Sequence, residues 1–262
     1  MSTPPTTPGL MSQLQQGRIL TGMQCFSGSP VLVEAMGAAG LDFVIIDMEH
    51  TSATLETVAH LLRATGRSAI TPLVRVPELD ASTIGRVLDL GAAGVVVPHA
   101  SPHSARDAVR FSRYEPSGSR SACPVIRAAN YMPADWQQHA SQANNTVLVV
   151  PLIEDAGAID EVEAILDTDG VEVVFVGPFD LSMSMGLPGS DYRHPQLAAA
   201  LKHVVQAAQS RGKYVMTTVG GTIDREYAAM LINSGVRLMS FSADVAVFLT
   251  ACKGIAALGG KA

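Results

Sequence analysis

Cysteine, lysine and charge are all scarce in this 262-residue sequence. Its three cysteines lie far apart and form no CxxC pair, which excludes a disulfide framework and a cysteine-rich zinc site. Charged residues make up only 16% of the chain, and the net charge is −6 without any cluster of lysine or arginine. Nucleic-acid binding needs a positive surface, so this balance argues against it. Intrinsic disorder is also disfavoured, because 47% of the residues are hydrophobic.

Long apolar runs are missing as well. No segment reaches the about 18 uninterrupted apolar residues of a membrane-spanning helix. The first nine residues, MSTPPTTPG, lack the basic start and apolar stretch of a signal peptide, and we expect them to form a flexible tail. These features predict a soluble, cytoplasmic protein with one domain over residues 1–262 and with neither nucleic-acid nor membrane partners.

Short apolar runs alternate with longer amphipathic segments along the chain. The runs are rich in valine and isoleucine and apolar on both faces, as in a parallel sheet covered by helices. Eight strands are predicted, at residues 20–26, 42–46, 71–74, 94–97, 146–153, 171–176, 213–217 and 236–241. Eight strand–helix alternations in this length indicate an α/β fold, the (β/α)8 TIM barrel. A doubly wound open sheet is the alternative, although its glycine-rich phosphate turn is absent after the first strand.

Polar residues follow nearly every predicted strand, where the active site of such a barrel lies. They are Asp47, Glu49, His50, Arg75, His99, Glu154, Asp155, Asp180, Thr218 and Ser242. A single aspartate after a strand is more often a helix N-cap than a ligand. Convergence of so many polar groups on one rim instead predicts a functional site.

Two of these carboxylates, on Glu154 and Asp180, end adjacent strands and can approach each other. A hard divalent cation resolves their repulsion, and ligation by oxygen favours Mg²⁺, Mn²⁺ or a similar ion over a closed zinc site. Arg75 offers a planar fork for a carboxylate or an enolate oxygen. Asp47 lies three residues before His50, and we expect its carboxylate to orient the imidazole. Together, a cation, an arginine and an oriented histidine suit an enzyme that forms an enolate and then protonates it.

The sequence lacks the residues that several common enzyme chemistries need. None of the four lysines ends a predicted strand, which disfavours a Schiff-base aldolase or a pyridoxal phosphate enzyme. The GxSxG, GxxxxGK[ST] and GxGxxG motifs are absent too. Residues 220–222, Gly-Gly-Thr, either bind a phosphate or form a turn and a helix cap. The long connection at residues 99–145 carries Arg120, Arg127, Tyr131 and Trp136, and its length predicts a functional flap.

Five segments resemble the HpcH/HpaI aldolases, a family of metal-dependent class II pyruvate aldolases. They are DFVIIDMEH (42–50), PLVRVP (72–77), GAAGVVVPH (91–99), PLIED (151–155) and VFVGPFDLSMSMG (174–186), and the resemblance runs from about residue 22 to 254. It implies that Mg²⁺, Mn²⁺ or Co²⁺ binds at Glu154 and Asp180. It also implies an enolate-stabilising Arg75 and a dyad of Asp47 and His50. Main-chain contacts to the pyruvate carboxylate would fall around Gly177, Pro178, Phe179 and Asp180.

The resemblance extends to assembly and to the substrate pocket. It implies dimers that exchange C-terminal helices and associate as a trimer of dimers, a homohexamer. The apolar segment 245–258 fits this, although a helix packed on its own barrel would have the same pattern. Leu152 stands where the best-studied aldolases have glutamine, Phe179 replaces a small residue, and Ser121 follows Arg120 where glycine is usual. We expect Leu152 and Phe179 to shape the pocket. Arg120, Arg127 and Tyr131 are candidates for binding the far end of the substrate, unless Arg127 lies on the surface.

Three functions follow from the sequence, in decreasing order of support. The first is a lyase that cleaves a 4-hydroxy-2-oxo acid to pyruvate, or a related 2-oxo acid, and an aldehyde. The alternative keeps the fold and the enolate but acts as a citrate-synthase-like enzyme or an acyl-CoA lyase, joining acetyl-CoA to oxaloacetate. A non-catalytic barrel is the least favoured, because Glu154, Asp180, Arg75 and His50 are all present.

Overall fold

The computed structural model describes residues 9–220 and 223–259, in which eight parallel strands close into a barrel. Each strand pairs with the next one along the chain, and β8 pairs with β1. The strands are β1 Leu20–Cys25, β2 Phe43–Asp47, β3 Thr71–Arg75, β4 Gly94–Val97, β5 Leu148–Ile153, β6 Val173–Val176, β7 Tyr214–Thr218 and β8 Leu238–Ala243. The predicted (β/α)8 TIM barrel is confirmed, and the open sheet is excluded.

Twelve α-helices cover the barrel within the described residues. They are α1 Leu10–Gln15, α2 Pro30–Ala38, α3 Leu55–Ala64, α4 Ala81–Asp89, α5 Pro102–Ser112, α6 Trp136–Thr146, α7 Ala156–Asp160, α8 Val162–Leu166, α9 Pro178–Ser184, α10 Pro195–Gln209, α11 Arg225–Ser234 and α12 Asp244–Leu258. Short 3-10 helices lie at Thr65–Arg67 and Arg127–Ala129. None of the described helices has the length and apolar content needed to cross a bilayer.

Alternation along the strands fills the barrel interior with large apolar side chains. Its buried members are Leu20, Phe43, Ile45, Leu73, Val96, Leu148, Val150, Leu152, Val173, Phe175, Met216 and Leu238. Buried Leu10 and Leu14 of α1 join this cluster. Successive residues of a strand point to opposite faces, so the same period of two brings Gln24, Arg75 and Glu154 to the carboxyl end of the interior. The strands thus position the site by simple alternation.

Capping residues fix the ends of several helices. Asp80 caps α4, and its Oδ2 accepts a hydrogen bond from the Thr83 amide at 2.7 Å. Gly235 ends α11 in the left-handed conformation, with φ of 110°. The N-cap of α11 is Asp224. The helix start that we predicted at Thr222, and the Gly221 and Thr222 part of the candidate phosphate loop, lie outside the described residues.

The long connection after β4 returns to the amino end of the barrel. Its residues after α5 stay against the end of that helix, because the amides of Ser119 and Arg120 donate to the carbonyls of Arg110 and Arg113, each at 2.8 Å. Arg120 and Arg127 therefore border a cavity with residues at strand starts, such as Thr71 and Leu148. This corrects the predicted flap: within one chain, both arginines lie at the end of the barrel opposite to the predicted site.

Candidate active site

A cavity of about 310 Å³ opens at the carboxyl ends of the strands. Its lining includes most of the residues that the sequence predicted there, namely His50, Arg75, Leu152, Glu154, Gly177, Pro178, Phe179 and Asp180. Asp47 is buried beside Arg75. The predicted flap residues Arg120, Arg127 and Tyr131 lie elsewhere, around a larger cavity of about 800 Å³ at the amino end.

Arg75 is fixed by two carboxylates from the turn that follows β2. Its Nε donates to Asp47 Oδ2, and its Nη1 lies 3.0 Å from Glu49 Oε2. The Arg75 side chain is 9% exposed, so both ion pairs are shielded from water. A guanidinium has five N–H groups, more than these two contacts use. The Arg75 guanidinium is therefore held rigid, and its remaining N–H groups can donate to a substrate oxygen.

The contact between Asp47 and His50 differs from the one that we predicted. Asp47 Oδ1 accepts a hydrogen bond from the backbone amide of His50 at 2.8 Å, and Oδ2 is used by Arg75. Asp47 therefore fixes the backbone of the turn, as short acidic side chains often do. The His50 imidazole is instead near Glu49, with 3.8 Å between His50 Nε2 and Glu49 Oε2.

Glu154 is a second buried carboxylate of the site, only 4% exposed. Burial raises the pKa of Glu154 above its usual value, and the negative charges of Glu49 and Asp180 add to this effect. The backbone amide of His99 opposes it by donating to Glu154 Oε1 at 2.8 Å. His99 reaches this position in the left-handed region, with φ of 52°. A buried carboxylate surrounded by other acids calls for a positive partner.

The donor atoms around Glu154 fit a divalent cation. One ligand atom each of Glu49, His99 and Glu154 lies within 4.8 Å of the others. Asp180, in the first turn of α9, lines the same cavity. Glu49 Oε2 is buried without a hydrogen bond of good geometry, although its charge faces Arg75. A cation here would relieve the repulsion that raises the pKa of Glu154.

Leu152 and Phe179 limit the cavity in different ways. Leu152 is buried in the barrel interior, and a Cβ on Gly177 would lie 3.2 Å from its Cδ1. Phe179 is 49% exposed at the mouth of the cavity, where its ring packs over Gly189. Both side chains are apolar, so they set the size of the pocket and supply no hydrogen bond.

Four residues of the site received no individual role from the sequence. Glu49 and His99 were predicted at the rim, but spacing alone did not show that both face Glu154. Gln24 and Thr218 line the opposite wall, where Gln24 Nε2 lies 3.4 Å from Thr218 Oγ1. Strand alternation was the signal for both, since they continue the interior positions of β1 and β7.

Comparison with known proteins identifies the family of this chain. The family model described as HpcH/HpaI aldolase/citrate lyase matches residues 21–251. A hydroxypyruvate/pyruvate aldolase of Paraburkholderia phytofirmans is 34% identical over 94% of this chain and 95% of its own. A 2-dehydro-3,6-dideoxy-6-sulfogluconate aldolase of Pseudomonas putida is 32% identical over 87% of this chain and 88% of its own.

Solved structures give the same result. An HpcH/HpaI aldolase/citrate lyase family protein from Burkholderia cenocepacia J2315 superposes with a TM-score of 0.86 at 35% identity, covering 94% of this chain and 96% of its own. The citrate synthase SbnG superposes with a TM-score of 0.83 at 29% identity, covering 97% and 99%. Because the family model spans nearly the whole chain and the curated relatives above are aldolases, the chain is a carbon–carbon lyase of the aldolase type and belongs to the HpcH/HpaI aldolase/citrate lyase family.

Proposed function

We propose that this chain cleaves a 4-hydroxy-2-oxo acid to pyruvate, or a close 2-oxo acid, and an aldehyde. One observation carries the proposal: the fixed guanidinium of Arg75 and the carboxylates of Glu154 and Asp180 border one cavity of about 310 Å³. An enolate needs a positive group at its oxygen, and the two carboxylates would hold a divalent cation that supplies such a charge. The aldolase relatives support the same chemistry.

The cation belongs at Glu154 and Asp180, with Glu49 and His99 beside it. When bound, Mg²⁺, Mn²⁺ or Co²⁺ would supply Lewis-acid polarisation of the 2-oxo group. Glu154 is already oriented for this role by the amide of His99. The exposed Asp180 can adjust at the rim of the cavity.

Arg75 stabilises the negative charge that develops on the substrate oxygen. Its guanidinium is immobilised by Asp47 and Glu49 before substrate arrives, so little reorganisation is needed in the transition state. The carboxylate of the substrate fits the first-turn amides of α9, at Phe179 and Asp180. The Gly177 amide is used within the sheet, where it donates to the Ile153 carbonyl at 3.0 Å.

His50 moves the proton of the C4 hydroxyl. In the cleavage direction the imidazole accepts this proton, the C3–C4 bond breaks to release the aldehyde, and the electron pair forms the enolate at C2–C3. Protonation of C3 then gives the 2-oxo acid. Glu49, the carboxylate near the ring, is placed to stabilise the imidazolium that this step creates.

Condensation of acetyl-CoA with oxaloacetate is the second candidate, favoured by the structural likeness to a citrate synthase. Both reactions are tested in one experiment, in which protein loaded with Mg²⁺, Mn²⁺ or Co²⁺ is supplied with pyruvate, hydroxypyruvate or oxaloacetate. Each acid is offered a panel of aldehydes, and acetyl-CoA in parallel. We expect aldol adducts and no release of free thiol. Thiol release without any adduct would replace the proposal by the second candidate.

The metal role is tested by Glu154→Gln and Asp180→Asn. Each should lower aldol activity by about a hundredfold or more and weaken binding of the cation, because each removes a charged ligand. Calorimetry with Mn²⁺ and circular dichroism would separate lost binding from lost fold. Asp160→Asn is the matched control, since this exposed carboxylate at the end of α7 lies outside the cavity lining. Full turnover in excess chelator would contradict the role of the metal.

The cytoplasmic location stays a prediction.

A further inference from the structure

The larger cavity, of about 800 Å³, lies at the amino end of the barrel and has an unusual charge content. Its walls are formed mainly by apolar and small residues of α1, α4, α6 and the strand starts. Two arginines and a histidine also line it, namely Arg120, Arg127 and His139. No aspartate or glutamate is present among the described residues of the lining.

The charge of Arg127 is not compensated by any carboxylate of the described chain. Its Nη1 donates to the Leu90 carbonyl at 2.9 Å, and its Nη2 to the Leu62 carbonyl at 3.3 Å. Arg120 differs, because its Nη2 is paired with Asp89 Oδ1 at 2.7 Å. Together the two arginines and Asp89 leave about one positive charge beside the cavity.

Side-chain atoms without a hydrogen-bond partner gather around Arg120 and His139, which line this cavity, and around the neighbouring Tyr114. Five buried side-chain polar atoms of the described residues lack a hydrogen-bond partner, and three of them are Tyr114 Oη, Arg120 Nε and His139 Nε2. These groups are in contact, since Arg120 Cζ lies 4.5 Å from the centroid of the Tyr114 ring and the rings of Tyr114 and His139 are 6.2 Å apart. The Arg120 side chain is only 2% exposed. A buried donor without a partner is costly, so a molecule that accepts hydrogen bonds is favoured here.

We infer that this cavity binds a small organic monocarboxylate with an apolar body. A carboxylate only accepts hydrogen bonds, which matches the donors of Arg120 and Arg127. About one net positive charge suits a monoanion better than a phosphate dianion. The apolar walls, including Leu10, Leu73 and Leu88, suit a hydrocarbon body.

The cavity is separate from the catalytic one. Strand β3 begins at Thr71, which lines the larger cavity, and ends at Arg75, which lines the catalytic cavity. The four residue-to-residue steps from Thr71 to Arg75 in an extended strand span about 13 Å. A ligand at the amino end therefore does not occupy the site of the aldol reaction, and the two can be measured independently.

Benzoate is the probe, and benzamide is its neutral counterpart of the same shape. We expect calorimetry to show that benzoate binds the full-length protein about tenfold more tightly than benzamide does, because only benzoate is an anion. Arg75→Gln removes the cationic group of the catalytic end and should leave benzoate affinity unchanged. Arg127→Gln should weaken benzoate about tenfold and leave benzamide unaffected.

A second variant guards against indirect effects on the fold. Ala143→Phe adds a ring to the cavity wall on α6 and keeps both arginines, and it should weaken both probes while the circular dichroism spectrum is kept. Equal affinity for benzoate and benzamide, no binding of benzoate, or loss of benzoate binding only in Arg75→Gln would each overturn the inference. Inorganic phosphate that displaces benzoate at equal concentration would overturn the choice of a monocarboxylate.

Discussion

Arg75 and the two carboxylates that hold it form a small, closed unit within the site. Asp47 ends β2 and Glu49 follows two residues later, so a single turn provides both anions. Asp47 is buried and also holds the amide of His50, which ties the position of the guanidinium to that of the turn. A change at Arg75 therefore acts on charge and on the geometry of the turn together.

Replacing Arg75 by lysine tests this unit. Arg75→Lys should lower kcat/KM for aldol cleavage by about a hundredfold or more, because an ammonium cannot contact Asp47, Glu49 and the substrate oxygen as a planar fork does. Steady-state kinetics with saturating Mn²⁺ would measure the loss. Arg63→Lys, on the exposed side of α3, is the matched control and should leave kcat/KM unchanged. Rates near those of the unmodified protein would show that the enolate is stabilised elsewhere.

Individual residues were predictable where a strand fixes them and less so elsewhere. Arg75 and Glu154 follow buried runs directly, and both line the predicted cavity. The partner of Asp47 was not predictable, because spacing does not decide whether a carboxylate accepts from an imidazole or from an amide of the same turn. Arg120 and Arg127 were misplaced because their position depends on the path of the chain after α5, which has no periodic signal.

Strand β1 shows how closely the elements of the barrel fit together. A Cβ on Gly22 would lie 2.4 Å from the Phe43 ring and 2.5 Å from the Phe43 carbonyl oxygen. Phe43 is fully buried in the barrel interior and has no free space to enter. The pairing of β1 with β2 places these two residues opposite each other. The absence of a side chain at Gly22 is thus a requirement of the closed sheet.

Gly22→Ala should lower the free energy of unfolding by about 2 kcal/mol or more, because the added methyl overpacks the interior. Urea denaturation followed by circular dichroism would measure it. Gly85→Ala in α4 is the control, since its Cβ would meet nothing within 4 Å, and it should be neutral or slightly stabilising. Phe43→Leu should recover part of the loss in the Gly22→Ala background. An unchanged midpoint in Gly22→Ala would contradict the close fit.

All eight strands were predictable as elements because both of their faces are buried. The predicted ends of the strands differ from the observed ends by at most two residues. The predicted run at 146–153, for example, begins with Thr146, which the structure assigns to the end of α6. Threonine and valine both favour strands, so Thr146 and Val147 extend the predicted run back past the end of the helix.

At the scale of the whole molecule, α12 is the element that a single chain leaves uncovered. Its apolar residues are strongly exposed: Phe248 by 68%, Ile255 by 69% and Leu258 by 89%. Asp244 is its only buried residue among those described. An apolar helix face of this kind is typical of an interface between subunits. The exchange of this helix between two chains, and a hexamer built from such dimers, remain predictions.

Phe248→Asp should reduce the size of the assembly, because a charge would be buried in the expected interface. Size-exclusion chromatography with light scattering would measure the mass of both proteins. Val31→Asp, which alters an equally exposed apolar residue on α2, is the control and should keep the mass unchanged. A monomeric unmodified protein, or an assembly that Phe248→Asp does not alter, would contradict a role for α12 in assembly.

The left-handed backbone at His99 has a consequence for how this barrel can diversify. Glu154 is anchored by a main-chain N–H at that position, and the imidazole itself is 70% exposed. Glycine and asparagine tolerate such a backbone at least as well as histidine does. Position 99 can therefore change the donor that it offers beside the cation while the main-chain anchor of Glu154 stays in place.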